Sequence, residues 1–385
     1  MAEGTRANAE WKTITEGLAR IRVPAGEKIS KKLPAFYNPA MEFNRTVSVV
    51  VLATMLMKSE KNRLSVLLPL AGTGVRAARI AREIPVLNEK ASLNISANDI
   101  NPTAVNLIKE NIEKNIAGSG IKCSVTCEEA NRFMMNSGAV DYLDIDPFGS
   151  PNPFLDVAVK KVKAGGVLAV TATDTAPLCG TYPKACMRKY WAKPLRGSSM
   201  HELGLRILIR KVQLVGAQYE IALTPVLSYS KDHYMRVFFN AKRQKSAVDL
   251  ILKKHSAARL GSEEAGPLWS GMLQDEGFIS EAEKTAVRMM QASEDKQYRN
   301  VLEKTAKFLG ILGRENSVGG IVGVTDIHML CKKNKLPVPP FEKVITGLKN
   351  RKFKAERSHS NLNALKTDAE EKDVLEVIRS ILRNE

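Results

Sequence analysis

Asp144-Ile145-Asp146-Pro147-Phe148-Gly149-Ser150-Pro151 follows the apolar run Ala139-Val140-Asp141-Tyr142-Leu143 and precedes a helical pattern from Pro153 to Val162. The stretch reads as the carboxyl end of a buried strand. In an open α/β sheet ligands sit where strands end, so a carboxylate, a proline and an aromatic ring placed there together face a crevice. That combination suits chemistry on a planar amine. An exocyclic base amine is a poor nucleophile because its lone pair is delocalised into the ring, and it needs positioning more than a strong base. Asp146 can accept one amine hydrogen and the Pro147 carbonyl the other, which points the lone pair at an electrophile while Phe148 stacks on the ring. Taken alone, the tetrapeptide reads equally as a turn with Phe148 in the core, because Asp, Pro and Gly are common turn formers. Asp144 and Asp146 share one face of an ideal strand, so spacing does not choose which of them meets a base.

Upstream, Leu64 to Leu70 is a continuous apolar run, the pattern of a strand covered on both faces, and Gly72-Thr73-Gly74 then turns into a helix from Val75 to Ile84. Glycines there let the backbone approach a ligand, and helix amides favour its carboxylate. Glycine turns between strand and helix are widespread. This one is strengthened by Asn98-Asp99 at the end of the next strand, where a carboxylate can take both ribose hydroxyls of an adenosyl group. Asn101-Pro102 opens a further helix, Ile121 to Cys127 is a third strand, and Glu128-Glu129-Ala130 follows it. Cys123 and Cys127 lie about 13 Å apart on such a strand, too far to share a metal, and are read as core thiols.

Before these elements, Trp11 to Val23 reads as a short strand or hairpin, and Pro39 as the first position of a helix capped by Asn38. That helix buries Val47, Val50, Val51 and Leu52 and carries Arg45, which is either a surface arginine or a ligand contact. After them, Gly165-Gly166 separates a helix from the strand Val167 to Ala172. Asp174 at its end holds a base or RNA, or caps a helix. Pro177 to Gly197 is long, aperiodic and basic, with Lys184, Arg188, Lys189, Lys193 and Arg196 and no acid, and reads as a functional loop, a lip over the pocket that holds RNA phosphates. Ser198 to Gln218 is a helix, and Glu220 to Tyr229 with Tyr234 to Ala241 is a hairpin.

In order along most of the chain, Phe36-Tyr37-Asn38-Pro39, Ala71-Gly72-Thr73-Gly74-Val75-Arg76, Asp144 to Pro151, Thr171-Ala172-Thr173-Asp174, Tyr182-Pro183-Lys184-Ala185-Cys186, Gly266-Pro267-Leu268-Trp269 and Arg357-Ser358-His359 resemble the tRNA guanine-N2 dimethyltransferase family of archaeal type, a branch of the S-adenosyl-L-methionine-dependent methyltransferases. The resemblance implies an α/β fold: a Rossmann-like seven-stranded class I methyltransferase domain, its last strand antiparallel, followed by a smaller α+β domain. It implies transfer of one or two methyl groups to the N2 amine of guanine 26 in tRNA. By the same resemblance Phe36 and Phe148 wall the flipped base, while Asp146 and Pro147 align its amine. Arg45, Gly72, Thr73, Gly74, Arg76, Asp99, Glu129 and Ala130 are expected around the cofactor, Glu129 standing where relatives more often carry Asp. Some relatives hold a zinc near Gly-Pro-Leu-Trp with four cysteines. His255 to Gly271 contains none, so no metal is expected.

The chain has 385 residues, enough for two or three domains, and the composition break places a methyltransferase domain at 1–241 and a basic domain at 242–385. The second is expected to be helical through Gly310, then to continue as helix Asp326 to Lys333, helix Phe341 to Leu348 and a strand near Phe353, a winged-helix-like order. An amphipathic helix with Leu375, Ile378 and Leu382 on one side ends it. A net charge of +17 points to a polyanionic partner, most directly nucleic acid. Between Ile321 and Lys366 ten Lys or Arg stand against three acids, with Phe353, His328 and His359 among them, either a nucleic-acid footprint or a solvated face. Five cysteines, an odd number, fit a reducing cytoplasm. Val47 to Met57 is shorter than the roughly 18 residues of a membrane span, and residues Glu3 to Glu10 carry charge rather than the apolar block of a secretory signal. No membrane association and no obligate protein partner are expected. Two other readings use the same residues: an RNA-binding protein on an inactive methyltransferase scaffold, and a methyltransferase acting on DNA base amines.

Overall fold

The first elements are an antiparallel hairpin of β1 (Trp11–Glu16) and β2 (Ala19–Pro24), turning at Gly17, and α1 (Glu42–Met57), entered through Pro39 with Asn38 Oδ1 accepting from the Ala40 amide. The computed structural model describes residues 10–25, 35–59, 62–116 and 121–383, so the segment read against a secretory signal lies almost wholly outside them. Strands and helices then alternate: β3 (Arg63–Leu68), α2 (Val75–Glu83), β4 (Ser92–Asn98), α3 (Pro102–Ile116), β5 (Lys122–Thr126), α4 (Ala130–Asn136), β6 (Val140–Ile145), α5 (Asn152–Lys161) and β7 (Val162–Ala172). Helices α6 (Thr175–Leu178), α7 (Pro183–Tyr190) and α8 (Met200–Ala217) lead to the hairpin β8 (Ile221–Lys231) and β9 (Tyr234–Arg243).

These strands form one sheet in the order β5-β4-β3-β6-β7-β9-β8. β3 pairs in parallel with β4 and β6, β4 with β5, and β8 runs antiparallel to β9. The seven-stranded α/β sheet is therefore the expected one. Chain order reverses between β3 and β6, the switch point at which such sheets bind ligands, and the Gly-Thr-Gly turn follows the first of these strands while Asp146 follows the second. Parallel strands covered on both faces read as unbroken apolar runs, and Val66, Leu67, Tyr142, Leu143 and Ile145 are accordingly buried.

Three local readings need correction. Cys123 is half-buried and Cys127 exposed, because β5 is an edge strand with a neighbour on one side only. Gly165-Gly166 lies inside β7 rather than before it. A Cβ on Gly166 would stand 2.9 Å from the Asp141 carbonyl oxygen, so the glycine admits the backbone of β6. The segment after residue 242 is not helical throughout: α9 (Lys245–Leu252) is followed by the hairpin β10 (His255–Leu260) and β11 (Glu263–Trp269). Gly266 and Lys193 exchange backbone hydrogen bonds of 2.7 and 2.8 Å, a long-range pairing that no local propensity announces.

The chain continues through α10 (Glu276–Ala292), α11 (Lys296–Ser317), β12 (Thr325–Asp326), α12 (Ile327–Lys333), α13 (Phe341–Asn350), β13 (Ala355–Arg357), β14 (Ala364–Thr367) and α14 (Glu371–Arg383). The last six elements enclose their own core of Ile327, Leu330, Val344, Leu348, Leu365, Val374 and Ile378, with a small sheet in the order β12-β14-β13. Leu375 and Leu382 pack against it from α14, as their spacing requires.

The described residues cluster into two compact units, one within Met1–Ile145, Lys160–Leu168 and Glu281–Ala306, the other within Asp146–Val159, Ala169–Ser280 and Lys307–Glu385. Among the described residues one helix, Pro39–Met57, has the length and hydropathy of a membrane span. Of that window 67% is buried inside the protein, and Val47, Val49, Val50, Val51 and Leu52 are core residues of α1.

Candidate active site

In the first unit the turn between β3 and α2 is shaped by two glycines. Gly72 and Gly74 stand at φ 56° and 76°, in the left-handed region. A Cβ on the first would lie 2.9 Å from the Phe36 carbonyl oxygen, and on the second 3.1 Å from Ile108. Asp99, at the end of β4, is aimed across this turn. Its Oδ2 accepts from the Gly72 amide at 3.0 Å and its Oδ1 from the Asn101 amide at 2.9 Å. Asn98 beside it ties three strand ends together: Nδ2 donates to the carbonyls of Pro69 (3.1 Å) and Glu128 (3.0 Å), and Oδ1 accepts from the Glu128 amide (2.9 Å). Thr73 is wholly buried, its carbonyl accepts from Asn111 Nδ2 at 2.8 Å, and its Oγ1 has no hydrogen-bond partner.

Glu129 caps α4, accepting from the Arg132 amide at 3.0 Å, and Ala130 is the buried first residue of that helix. Arg76 reaches back from α2 to Ser48 Oγ (2.6 Å) and Asn44 Oδ1 (2.9 Å) on α1, and lies 3.4 Å from Asp144 Oδ2. Asp144 also accepts from the Tyr142 hydroxyl at 2.7 Å and is 3% exposed. Arg45 sends Nε to Glu16 Oε1 (2.6 Å) and Nη2 to both Glu16 Oε2 (2.5 Å) and the Asn38 carbonyl (3.0 Å). Glu16 further accepts from Arg79 (3.1 Å) and the Tyr37 hydroxyl (2.9 Å). Burial alone would raise the Glu16 carboxyl, but Arg45 and Arg79 outweigh it and hold the group below the usual carboxylate range. Phe36 is half-buried.

The second unit holds the rest of the motif. Pro147 is buried, Asp146 half-buried and Phe148 45% exposed. Gly149, at φ 83°, is locked to the end of β7: its amide donates to Thr173 Oγ1 (2.6 Å) and its carbonyl accepts from the Thr173 amide (2.9 Å). Asp174 makes no cap. It accepts from the Tyr190 hydroxyl (2.6 Å) and pairs with Lys189 (3.1 Å), while the same hydroxyl lies 3.0 Å from Ser150 Oγ. Burial, then Asp174, pushes the Tyr190 hydroxyl well above its usual value. The basic stretch read as an aperiodic loop thus contains α7. Pro183 opens it, and Cys186 and Tyr190 form its buried stripe, a period that two residues among many lysines and arginines show only faintly.

Two residues placed with the basic footprint, Lys366 and the interleaved His359, lie inside the second unit. Lys366 is 2% exposed and pairs with Glu202 (2.5 Å), which also holds Arg206 (2.7 Å). The His359 side chain is buried against Glu315 and accepts from the Ser230 amide at 3.3 Å. Glu16, Asn111 and Tyr190 escaped the sequence reading, as did the role of Asn98 beside Asp99. Each acts on a partner brought near only by folding.

The sheet order, the glycine turn after its first parallel strand and the acid after the next define a class I methyltransferase. The chain belongs to the N2,N2-dimethylguanosine tRNA methyltransferase family, whose model matches residues 17–261 and 253–379. The tRNA (guanine(26)-N(2))-dimethyltransferase of Methanococcus maripaludis is 36% identical over 383 residues, covering 95% of this chain and 98% of the relative. That of Methanothermobacter thermautotrophicus is 36% identical over 396 residues, covering 96% and 99%. The structure of Trm1 from Pyrococcus horikoshii with S-adenosyl-L-methionine matches with a TM-score of 0.81 at 31% identity, covering 95% of this chain and 99% of that one.

Proposed function

We propose that the chain transfers methyl groups from S-adenosyl-L-methionine to the N2 amine of guanine 26 in tRNA, giving N2-methyl- and N2,N2-dimethylguanosine. The observation that carries the assignment of roles is the contrast between two acids. Asp144 is 3% exposed inside the end of β6, whereas Asp146 is half-buried just beyond it and open to the crevice side of the strand end. Asp146 is therefore the acid for the base.

The residues present fit the cofactor. Gly72 and Gly74 let the turn take left-handed backbone and pack tightly against Phe36 and Ile108, Asp99 is pre-aimed for ribose hydroxyls, and the Thr73 hydroxyl is buried without a partner. Glu129 and Ala130 would meet the adenine. Arg45 offers Nη1 to the amino-acid carboxylate, its other donors facing Glu16 and Asn38. Arg76 supports the site by holding α1 to the end of β6. When bound, S-adenosyl-L-methionine supplies an electrophilic methyl on a sulfonium.

On the protein side, Phe36 and Phe148 wall the flipped guanine, whose unstacking costs a few kcal/mol, offset by phosphate contacts. Asp146 and the Pro147 carbonyl each accept an amine hydrogen, leaving the lone pair directed at the methyl. Asp146 takes the proton that the amine sheds. A second transfer requires the monomethylated amine to turn within the same walls. The division of labour follows the chain: 1–241 carries the chemistry and a basic lip at 177–197, and 242–385 supplies a further tRNA-docking domain.

The test is labelled methyl transfer to unmodified tRNA followed by nucleoside analysis, with Asp146→Ala in parallel. N2-methylated guanosine should form and fall by about 10²–10⁴-fold in the variant while both ligands still bind. A folded wild type that binds both ligands yet transfers nothing would favour the inactive-scaffold reading, and transfer to duplex DNA in preference to tRNA would favour the DNA reading.

A further inference from the structure

Helix α7 presents two faces. Cys186 and Tyr190 are buried, and Tyr190 connects to Ser150 and Asp174 beside the catalytic loop. Asn152 Nδ2 adds a second tie, donating to the Lys189 carbonyl at 2.8 Å. Lys184, Met187, Arg188 and Trp191 fall at i, i+3, i+4 and i+7, on the opposite side, and all are exposed. Met187 is 50% and Trp191 49% exposed.

Trp191 is held in place. It stands at φ 55°, a region disfavoured for bulky residues. Its carbonyl accepts from Arg210 Nη1 at 3.3 Å, and Lys211 Nζ lies 3.0 Å from its ring centroid. Lys211 itself is buried, so one side of the ring is backed by a cation and half of the residue is left to solvent. From Thr175 to His201 there is no Asp or Glu, while Lys184, Arg188, Lys189, Lys193 and Arg196 are all exposed. An indole backed by a cation, a methionine at its side and a field of one sign fit a polyanion that carries flat rings.

We propose that the outer face of α7 is a nucleotide-stacking platform for the substrate RNA: Trp191 and Met187 receive an unpaired base, Lys184, Arg188 and Lys193 hold its phosphates, and Tyr190 on the inner face couples this docking to the Gly149-Ser150 end of the catalytic loop. The inference rests on the RNA-methylating reading and deepens it. It adds a contact outside the base pocket and a route from that contact to the loop.

Base stacking on an aromatic side chain, read by truncation, corresponds to about 10- to 100-fold in affinity. The experiment uses the full chain with Trp191→Gly, which keeps the φ 55° backbone unstrained, and with Trp191→Phe, Met187→Ala and Tyr190→Phe. Met135→Ala, at another exposed apolar side chain, serves as control. Kd for unmodified tRNA and for S-adenosyl-L-methionine is measured together with kcat and KM. Trp191→Gly should raise the tRNA Kd and KM about 10- to 100-fold, with a smaller effect on kcat. Trp191→Phe should recover most of the loss, Met187→Ala should show a smaller one, and cofactor affinity should not move. Tyr190→Phe should lower kcat more than it changes tRNA Kd, because it cuts only the coupling.

Wild-type tRNA affinity in Trp191→Gly would overturn the platform, as would a variant whose only change is its oligomeric state, which would make the face a contact between copies. The two readings fail separately. A wild type that methylates tRNA while Trp191→Gly binds normally removes the platform alone. A wild type that methylates nothing but binds RNA through Trp191 removes the enzymatic reading and leaves the platform.

Discussion

In its proposed role, Asp99 is prepared by backbone before a ligand arrives. Two amides, from Gly72 and Asn101, orient its two oxygens, so that the carboxylate would meet ribose hydroxyls without reorganising. Charged hydrogen bonds contribute about 1.5–3 kcal/mol each. With both ribose hydroxyls on the carboxylate, Asp99→Ala should therefore weaken S-adenosyl-L-methionine by about 10²- to 10⁴-fold in titration calorimetry, with tRNA affinity unchanged. A wild-type cofactor affinity would remove Asp99 from the site. His255 illustrates a residue whose role is structural. Burial, then Arg210, pushes it down to about 4, and its Nε2 shares a 2.8 Å hydrogen bond with Gln213 Oε1. An unfolded histidine takes its proton near pH 6.5. Between that pH and about 4 the unfolded chain binds more protons, so this group's contribution is fully present above about pH 6.5 and is lost as the pH falls toward 4. His255→Gln should show a smaller fall in Tm between pH 7.5 and 5 than the wild type, and an identical fall would assign the acid sensitivity elsewhere. What was legible at this scale follows from locality. Gly72, Gly74 and Asp99 sit at strand ends that the sequence pattern locates. Arg45 was readable only as an exposed or ligand-facing cation, because nothing near it in sequence announces Glu16 on a distant strand.

At the scale of elements, the hairpin β1–β2 is held to α1 and α2 by Glu16, which pairs with both Arg45 and Arg79, while Arg79 also pairs with Glu83 (2.7 Å). These side chains are buried. Removing Glu16 leaves the buried Arg45 guanidinium without its carboxylate, while Arg79 keeps Glu83, and breaking a buried pair typically costs about 3–5 kcal/mol. Glu16→Ala should lower the urea midpoint by a corresponding amount. Arg22→Ala removes the half-exposed pair with Glu110 (3.1 Å) and should cost less than about 1 kcal/mol. Equal effects of the two substitutions would contradict the role given to burial. The alternation of strand and helix could be read from apolar runs at β3, β6 and the latter half of β7, whose strands are buried within the sheet, and less well at the edge strand β5. Helix α7 and the hairpin β10–β11 could not. The first has one short buried stripe among basic residues, and the second is extended where Gly266 pairs with Lys193.

For the whole molecule, the net charge of +17 predicts the partner but not which lysines meet it. Lys332, Lys333, Lys335, Lys352 and Lys354 are exposed on the C-terminal elements, whereas Lys366 in the same stretch is buried with Glu202. Counting charges along the chain merges the two kinds; solvent access separates them. An exposed lysine on a phosphate releases a counterion, so log K for tRNA falls with log salt by about 0.9 for each contact with duplex. Replacing the five exposed lysines with glutamine should flatten that slope by about 4 to 5 if each meets a phosphate, leaving Tm and cofactor affinity unchanged. Lys366→Gln should do the reverse. It leaves Glu202 and Arg206 in a buried cluster without their third charge, and should lower the urea midpoint while the salt slope stays that of the wild type. Measuring both quantities on both variants decides the matter. A salt slope that changes with Lys366, or fails to change with the exposed five, would place the tRNA on another face of the protein.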